Sequence, residues 1–218
     1  MDLVSLLRRP FAWGLKRLDL DALYSLKRRG PLAEDGWFRS NRENASVDAS
    51  GSPLPWMTYP AIEFIRKRVK PDMSVFEYGS GGSTIWWANQ VREVISVEHD
   101  RAWFEKVAKN VGSRATVYQI DLVYGGEYSR AIQKFQNRFD VVVVDGRDRV
   151  NCVKNCLPAL KPSGVVILDN SERPEYSEAL TFLAVNGFKR IEFVGFYPIV
   201  NVKGETTIFY RSANRFGI

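Results

Sequence analysis

From about residue 60 onward, amphipathic stretches with helical spacing alternate with short apolar runs. Residues 61–69 read as a helix ended by Pro71, 74–78 as a strand, 83–90 as a helix, 93–98 as a strand, and 102–110 as a helix closed before Gly112. A strand at 115–120, a helix around 128–136, a strand at 139–145, a helix at 150–160 and a strand at 165–169 continue the alternation. The run Val141-Val142-Val143-Val144 is apolar without a period of two, which fits a strand covered on both faces. Such βα repetition predicts a doubly wound α/β fold with a parallel sheet between two layers of helices.

The rhythm breaks near the end. A helix around 177–186 stops at Gly187, and 190–196 and 206–211 read as strands with no helix between them, so they should form a hairpin with one strand antiparallel to the sheet. Residues 30–59 are rich in Gly, Pro, Ser and Asn and read as a long loop carrying Trp37, Trp56 and Tyr59, the place for a lid or for aromatic packing. The division expected is residues 1–59 as an N-terminal cap or lid and 60–218 as the ligand-binding domain.

Charge adds one feature. The net charge is +6, and residues 1–30 hold Arg8, Arg9, Lys16, Arg17, Lys27, Arg28 and Arg29 against Asp2, Asp19 and Asp21, so most of the excess lies there. Alternating with leucines and aromatics, these charges suit a basic amphipathic helix that either lies on an anionic membrane surface or packs on the domain with its basic face in water. The folded body shows no basic stripe, which argues against nucleic acid as a partner. No apolar run is long enough to span a membrane, and no signal-peptide pattern opens the chain, so a cytoplasmic protein is expected, with peripheral contact at the inner membrane face as an option. Cys152 and Cys156 share one face of a helix, read as small buried residues in a reducing compartment.

In an open parallel sheet, ligands bind beyond the carboxyl ends of the strands. Five predicted strand ends carry Glu77, Glu98, Asp121, Asp145 and Asp169, all acidic. Between the first of these and the next helix lies Gly79-Ser80-Gly81-Gly82-Ser83-Thr84, which offers bare backbone for close approach of a ligand. A dinucleotide fingerprint would place Gly or Ala where Thr84 stands, and a phosphate-binding P-loop would need a Lys after its last Gly. Glu77, inside the motif, would repel a pyrophosphate and attract a cation. Glu98 ends the second strand where a carboxylate accepts both hydroxyls of a ribose. A ligand with a ribose and a cationic end is S-adenosylmethionine.

With Asp140-Val141-Val142-Val143-Val144-Asp145 and Gly164-Val165-Val166-Ile167-Leu168-Asp169-Asn170, this layout resembles the class I, Rossmann-like methyltransferases over roughly residues 60–211. The resemblance implies a seven-stranded sheet ordered 3-2-1-4-5-7-6 with strand 7 antiparallel. It also implies the donor's methionine end near Glu77, Gly79 and Gly81, its ribose on Glu98, and its adenine between His99 and Asp121. Ser80, Gly82, Ser83, Thr84 and Asp145 complete the donor-binding set. The stretches 55–60, 195–198 and 205–210 resemble a bacterial branch of the same class.

A narrower likeness lies in Asp145-Gly146-Arg147-Asp148-Arg149 and Asp169-Asn170, which resemble the magnesium-dependent catechol-type O-methyltransferases. It implies optional Mg2+ on Asp145, Asp169 and Asn170, binding an acceptor hydroxyl. Those enzymes carry a Lys base where Arg147 stands, so Asp145, Asp148 and Arg147 form the candidate catalytic group, with Arg147 and Arg149 alternatively holding an acidic acceptor such as a uronate or phosphate. The expected activity is O-methylation of a small or carbohydrate-type acceptor. A nicotinamide-dependent oxidoreductase and a non-catalytic nucleoside-binding module docking on a membrane or protein are the competing readings.

Overall fold

The computed structural model describes residues 16–218. In chain order, helices α1 (Leu20–Arg29), α2 (Pro31–Glu34), α3 (Trp37–Glu43) and α4 (Tyr59–Arg66) precede β1 (Ser74–Tyr78), α5 (Gly82–Ala88), β2 (Glu93–Glu98), α6 (Arg101–Ala108) and β3 (Ala115–Gln119). Then come α7 (Glu127–Arg130), β4 (Phe139–Val144), α8 (Arg149–Cys156), β5 (Leu160–Asp169), α9 (Ser177–Val185), β6 (Lys189–Phe196) and β7 (Lys203–Tyr210). The strands form one sheet in the order β3-β2-β1-β4-β5-β7-β6. β1 to β5 pair in parallel, and β7 runs antiparallel to both β5 and β6, as the terminal hairpin requires.

The valine run explains the two-sided core. Val142 and Val144 face a cluster with Phe76, Tyr78, Tyr128, Ile132, Cys152 and Cys156. Val141 and Val143 face the opposite cluster with Leu54, Met57, Ile62, Ile65 and Trp87. Each of these four valines is fully buried, and alternate pleats of one strand thereby bind helices on both faces of the sheet. Cys152 and Cys156 are buried and unbridged on α8.

Three expectations are corrected. Residues 30–59 are not a structureless loop but contain α2 and α3: Pro31 opens the first, and Gly36, at φ 85, turns the chain into the second. α3 is tied to the β6–β7 connection, where Trp37 Nε1 donates to the Val200 carbonyl at 2.9 Å and Asn41 Nδ2 to that of Ile199 at 2.6 Å. The helix expected over 128–136 is the single turn α7 followed by a 3-10 turn, Ala131–Lys134. The helix expected over 150–160 ends at Cys156, and β5 begins at Leu160 and not at 165, with a register irregularity opposite Phe139 and Val141 where the strand carries Pro162, Ser163 and Gly164.

Of the basic N-terminal segment, residues 1–15 lie outside the described residues. α1 buries none of its side chains, leaving Leu20, Leu23 and Tyr24 exposed. Among the described residues, no helix is long and apolar enough to cross a membrane.

Candidate functional site

β1 and β4 are neighbours, and the chain leaving β1 crosses toward β2 while the chain leaving β4 crosses toward β5, so the loops after these two strands part in opposite directions and open a groove at the sheet's carboxyl edge. The backbones after β1 and β4 come into contact there. Gly79 sits at φ 90, and a Cβ on it would lie 2.9 Å from the Gly146 Cα. A Cβ on Gly146 would fall 2.1 Å from the buried Tyr128 hydroxyl. Gly146→Ala is therefore expected to destabilise the protein by about 1–3 kcal/mol through overpacking, read as a lower melting temperature, whereas a tolerated alanine would show that the Tyr128 ring can move aside.

Beneath the glycine loop, Glu77 is 1% exposed. Its cross-strand neighbour on β2 is Ser96, whose hydroxyl donates to Glu77 Oε2 at 2.8 Å, and the Thr84 hydroxyl donates to the same oxygen at 2.5 Å. Thr84 also accepts the Gly81 N–H at 3.0 Å. The residue that breaks the dinucleotide pattern thus links the glycine loop to the carboxylate below it. Glu77 Oε1 is buried with no hydrogen-bond partner. Burial pushes the Glu77 carboxyl up to about 7; the hydroxyls of Ser83, Thr84 and Ser96 pull against this, and nearby Asp145 adds to it.

Glu98 is the fastening of the second strand end. Its Oε1 accepts the backbone N–H of His99 at 2.8 Å and of Asp100 at 2.9 Å, while Oε2 accepts that of Ser80 at 3.0 Å, with the Ser80 hydroxyl at 3.3 Å. Trp103, in the first turn of α6, closes the same loop from outside by donating its indole N–H to the Ser80 carbonyl at 2.7 Å. Asp100 fixes this geometry by capping α6 through the Trp103 N–H. Further along the edge, Gln119 Nε2 donates to Asp121 Oδ1 at 2.7 Å and lies 3.4 Å from the His99 carbonyl, so His99 and Asp121 meet at the ends of β2 and β3. The structure thereby brings together the residues expected to bind the donor, from Glu77 through Gly79, Ser80, Gly81, Gly82, Ser83 and Thr84 to Glu98, His99 and Asp121.

The other half of the groove is organised by Arg149, only 8% exposed. Its Nε donates to the Gly146 carbonyl at 3.0 Å, Nη2 to the Asp145 carbonyl at 3.0 Å and to Asp145 Oδ1 at 3.1 Å, and Nη1 to the Asp169 carbonyl. Burial raises the Asp145 carboxyl to about 6, against the pull of Arg149 and Arg173. Burial, reinforced by Asp145, raises Asp169 well above the ordinary carboxylate range.

The magnesium reading does not fit these donors. Asp145 is paired with a guanidinium. Asp169 Oδ1 is held by the Thr206 hydroxyl and lies 3.2 Å from that of Tyr197, to which the Asn170 Nδ2 also donates at 2.9 Å. Among the described residues, no three His, Cys, Asp or Glu side chains converge as a metal-binding group.

Two further residues are held by other contacts. Asp148 is no free base: Oδ2 accepts the Gly125 N–H at 2.7 Å and Oδ1 the Asn151 amide at 2.7 Å, so its carboxylate latches the loop after β3 to α8. Tyr59 is packed in the core at the start of α4 and does not cover the groove, while Trp56 remains half exposed. Arg147 is exposed and makes no side-chain hydrogen bond or ion pair among the described residues. Sequence reading missed Ser96, Trp103, Tyr197 and Thr206. Only Trp103 had a local signal, as an aromatic three residues after a capping Asp.

Residues 76–171 match the family model described as a methyltransferase domain. Among solved structures, the chain is similar to a precorrin-8w decarboxylase from Methanobacterium thermoautotrophicum, at 18% identity and a TM-score of 0.54 over 78% of this chain and 97% of the other. It is also similar to a precorrin-6y C5,15-methyltransferase from Geobacter metallireducens, at 14% identity and a TM-score of 0.56 over 70% and 87%. A TehB-like S-adenosylmethionine-dependent methyltransferase from Corynebacterium glutamicum aligns at 16% identity and a TM-score of 0.51 over 68% and 85%. The chain matches no curated protein.

Proposed function

We propose that this chain is a class I, Rossmann-like S-adenosylmethionine-dependent methyltransferase that moves the donor's methyl group to an oxygen of a small acceptor at the carboxyl ends of β4 and β5, a reading supported by the methyltransferase-domain match over residues 76–171 and by the shared fold. The observation that carries the donor half of this reading is the orphaned Glu77 Oε1, buried under a glycine loop. An unpaired carboxylate oxygen in so dry a place calls for a cation, and the donor brings an ammonium and a sulfonium. Glu98, His99 and Asp121 lie along the same edge for its ribose and adenine.

The donor supplies an activated methyl group. The sulfur–methyl bond breaks with its electron pair passing to sulfur as the acceptor oxygen bonds to carbon, so alignment supplies much of the rate. Asp145 is the rim carboxylate that can take the acceptor proton: its pKa of about 6 suits a base near neutral pH, and its side chain keeps 24% exposure. Arg147 and Arg173, both exposed, flank it, Arg173 closely enough to pull the Asp145 pKa down. They favour a small acceptor bearing a carboxylate or phosphate, such as an acidic sugar. Calorimetry should show S-adenosylmethionine binding and no comparable binding of NAD. The opposite preference would replace this reading with an oxidoreductase, and donor binding without methyl release to any acidic acceptor would favour the binding module.

A further inference from the structure

We propose that Arg149 is the resident cation of the acceptor side of the groove, filling the space between the ends of β4 and β5 that a divalent ion would need, so that the protein works without a metal. The guanidinium spans the two strand ends: it binds the Asp145 and Gly146 carbonyls on one side, the Asp169 carbonyl on the other, and the Asp145 carboxylate between them. The Tyr176 ring lies 5.2 Å from its carbon, closing the remaining approach.

Arg149 is also the first residue of α8, where the helix dipole disfavours a positive charge. The Asp145 carboxylate and three carbonyls hold the charge there nonetheless, which identifies the pocket as one built around a cation. A magnesium ion on Asp145, Asp169 and Asn170 would need their side-chain oxygens at about 2.0–2.1 Å in near-octahedral array. Asp145 Oδ1 is already engaged by the guanidinium, which also occupies the backbone oxygens around it, and Asp169 Oδ1 faces Thr206 and Tyr197 instead. Adding a divalent charge beside a buried guanidinium would bring strong repulsion in a desolvated space. Arg149 is a positioning residue: it fixes Asp145 at the rim and ties the loop after β4 to the end of β5.

The inference concerns the same groove as the proposed methyl transfer, but metal uptake is read without donor or acceptor, so the two can fail separately. Electron paramagnetic resonance of Mn2+ titrated into the full chain should show no uptake that depends on Asp169: wild type and Asp169→Asn should titrate alike, and donor affinity should be unchanged by a chelator. Arg149→Met, which leaves the carboxylates facing one another, should gain Mn2+ affinity by roughly tenfold or more. Arg149→Lys, a single point charge in place of a fork, should keep the groove closed to Mn2+ while lowering kcat more than it raises KM, because Asp145 loses its fixed position. Stoichiometric Mn2+ uptake by the wild type that is abolished in Asp169→Asn would overturn the proposal. That comparison decides it even if Arg149→Met fails to fold.

Discussion

Glu98→Ala should weaken S-adenosylmethionine binding by about two orders of magnitude. Hydrogen bonds from two ribose hydroxyls to a carboxylate contribute roughly 1.5–3 kcal/mol each, and about 3 kcal/mol in total already corresponds to a hundredfold change in Kd. A second effect adds to this. The carboxylate ties the Ser80, His99 and Asp100 amides together, so alanine frees the loop on which the donor's methionine end would rest, and donor binding must then restore its order. The same substitution should lower the melting temperature of the donor-free protein, since three backbone donors lose their acceptor. Calorimetry and thermal unfolding read the two effects independently. A lower melting temperature with unchanged donor affinity would leave Glu98 as a loop fastening and withdraw the ribose assignment.

Glu98 also shows where sequence reading stops. That a carboxylate ends β2 beside a glycine loop is visible from the alternation of apolar runs and their acidic ends, and so are the parallel sheet and the terminal hairpin. That this carboxylate is already engaged by three amides is not, because those bonds depend on how two loops close in space. The same division holds on the acceptor side. Asp145 and Asp169 stand at the ends of adjacent strands as the spacing implies, but the side chain that ties those ends together comes from Arg149, which in sequence looks like any charged residue near a helix start. Tyr197 and Thr206, which complete the Asp169 environment, are contributed by the antiparallel hairpin some 28 and 37 residues further along the chain. Short-range pattern carries no signal for such pairings. The helices inside 30–59 were hidden differently: Gly30, Pro31, Gly36 and Asn44, which suggest coil, form the boundaries of two short helices.

Donor affinity should rise with pH through about 7, and Glu77→Gln should abolish that rise. Burial holds the Glu77 carboxyl near 7 in the folded protein, against an ordinary value of 4.5. A raised carboxyl pKa means that the folded state favours the protonated form. This contribution to stability is fully present below about pH 4.5 and is lost as pH rises to 7 and beyond, at an order of 3 kcal/mol. A cationic donor prefers the ionised form, so below pH 7 each pH unit should cost up to about tenfold in affinity as a proton is displaced on binding. Asp145 and Asp169 also have raised values and contribute to the donor-free stability profile with the same sign, so the informative quantity is the difference between wild type and Glu77→Gln. The neutral isostere keeps the shape beneath Thr84 and Ser96 and removes the charge. It should bind the donor weakly at every pH, with a flat profile, and should be more stable than the wild type near pH 8 because no buried carboxyl has to ionise there. If both proteins show the same pH dependence of donor affinity, the cation held at the glycine loop is not held by Glu77.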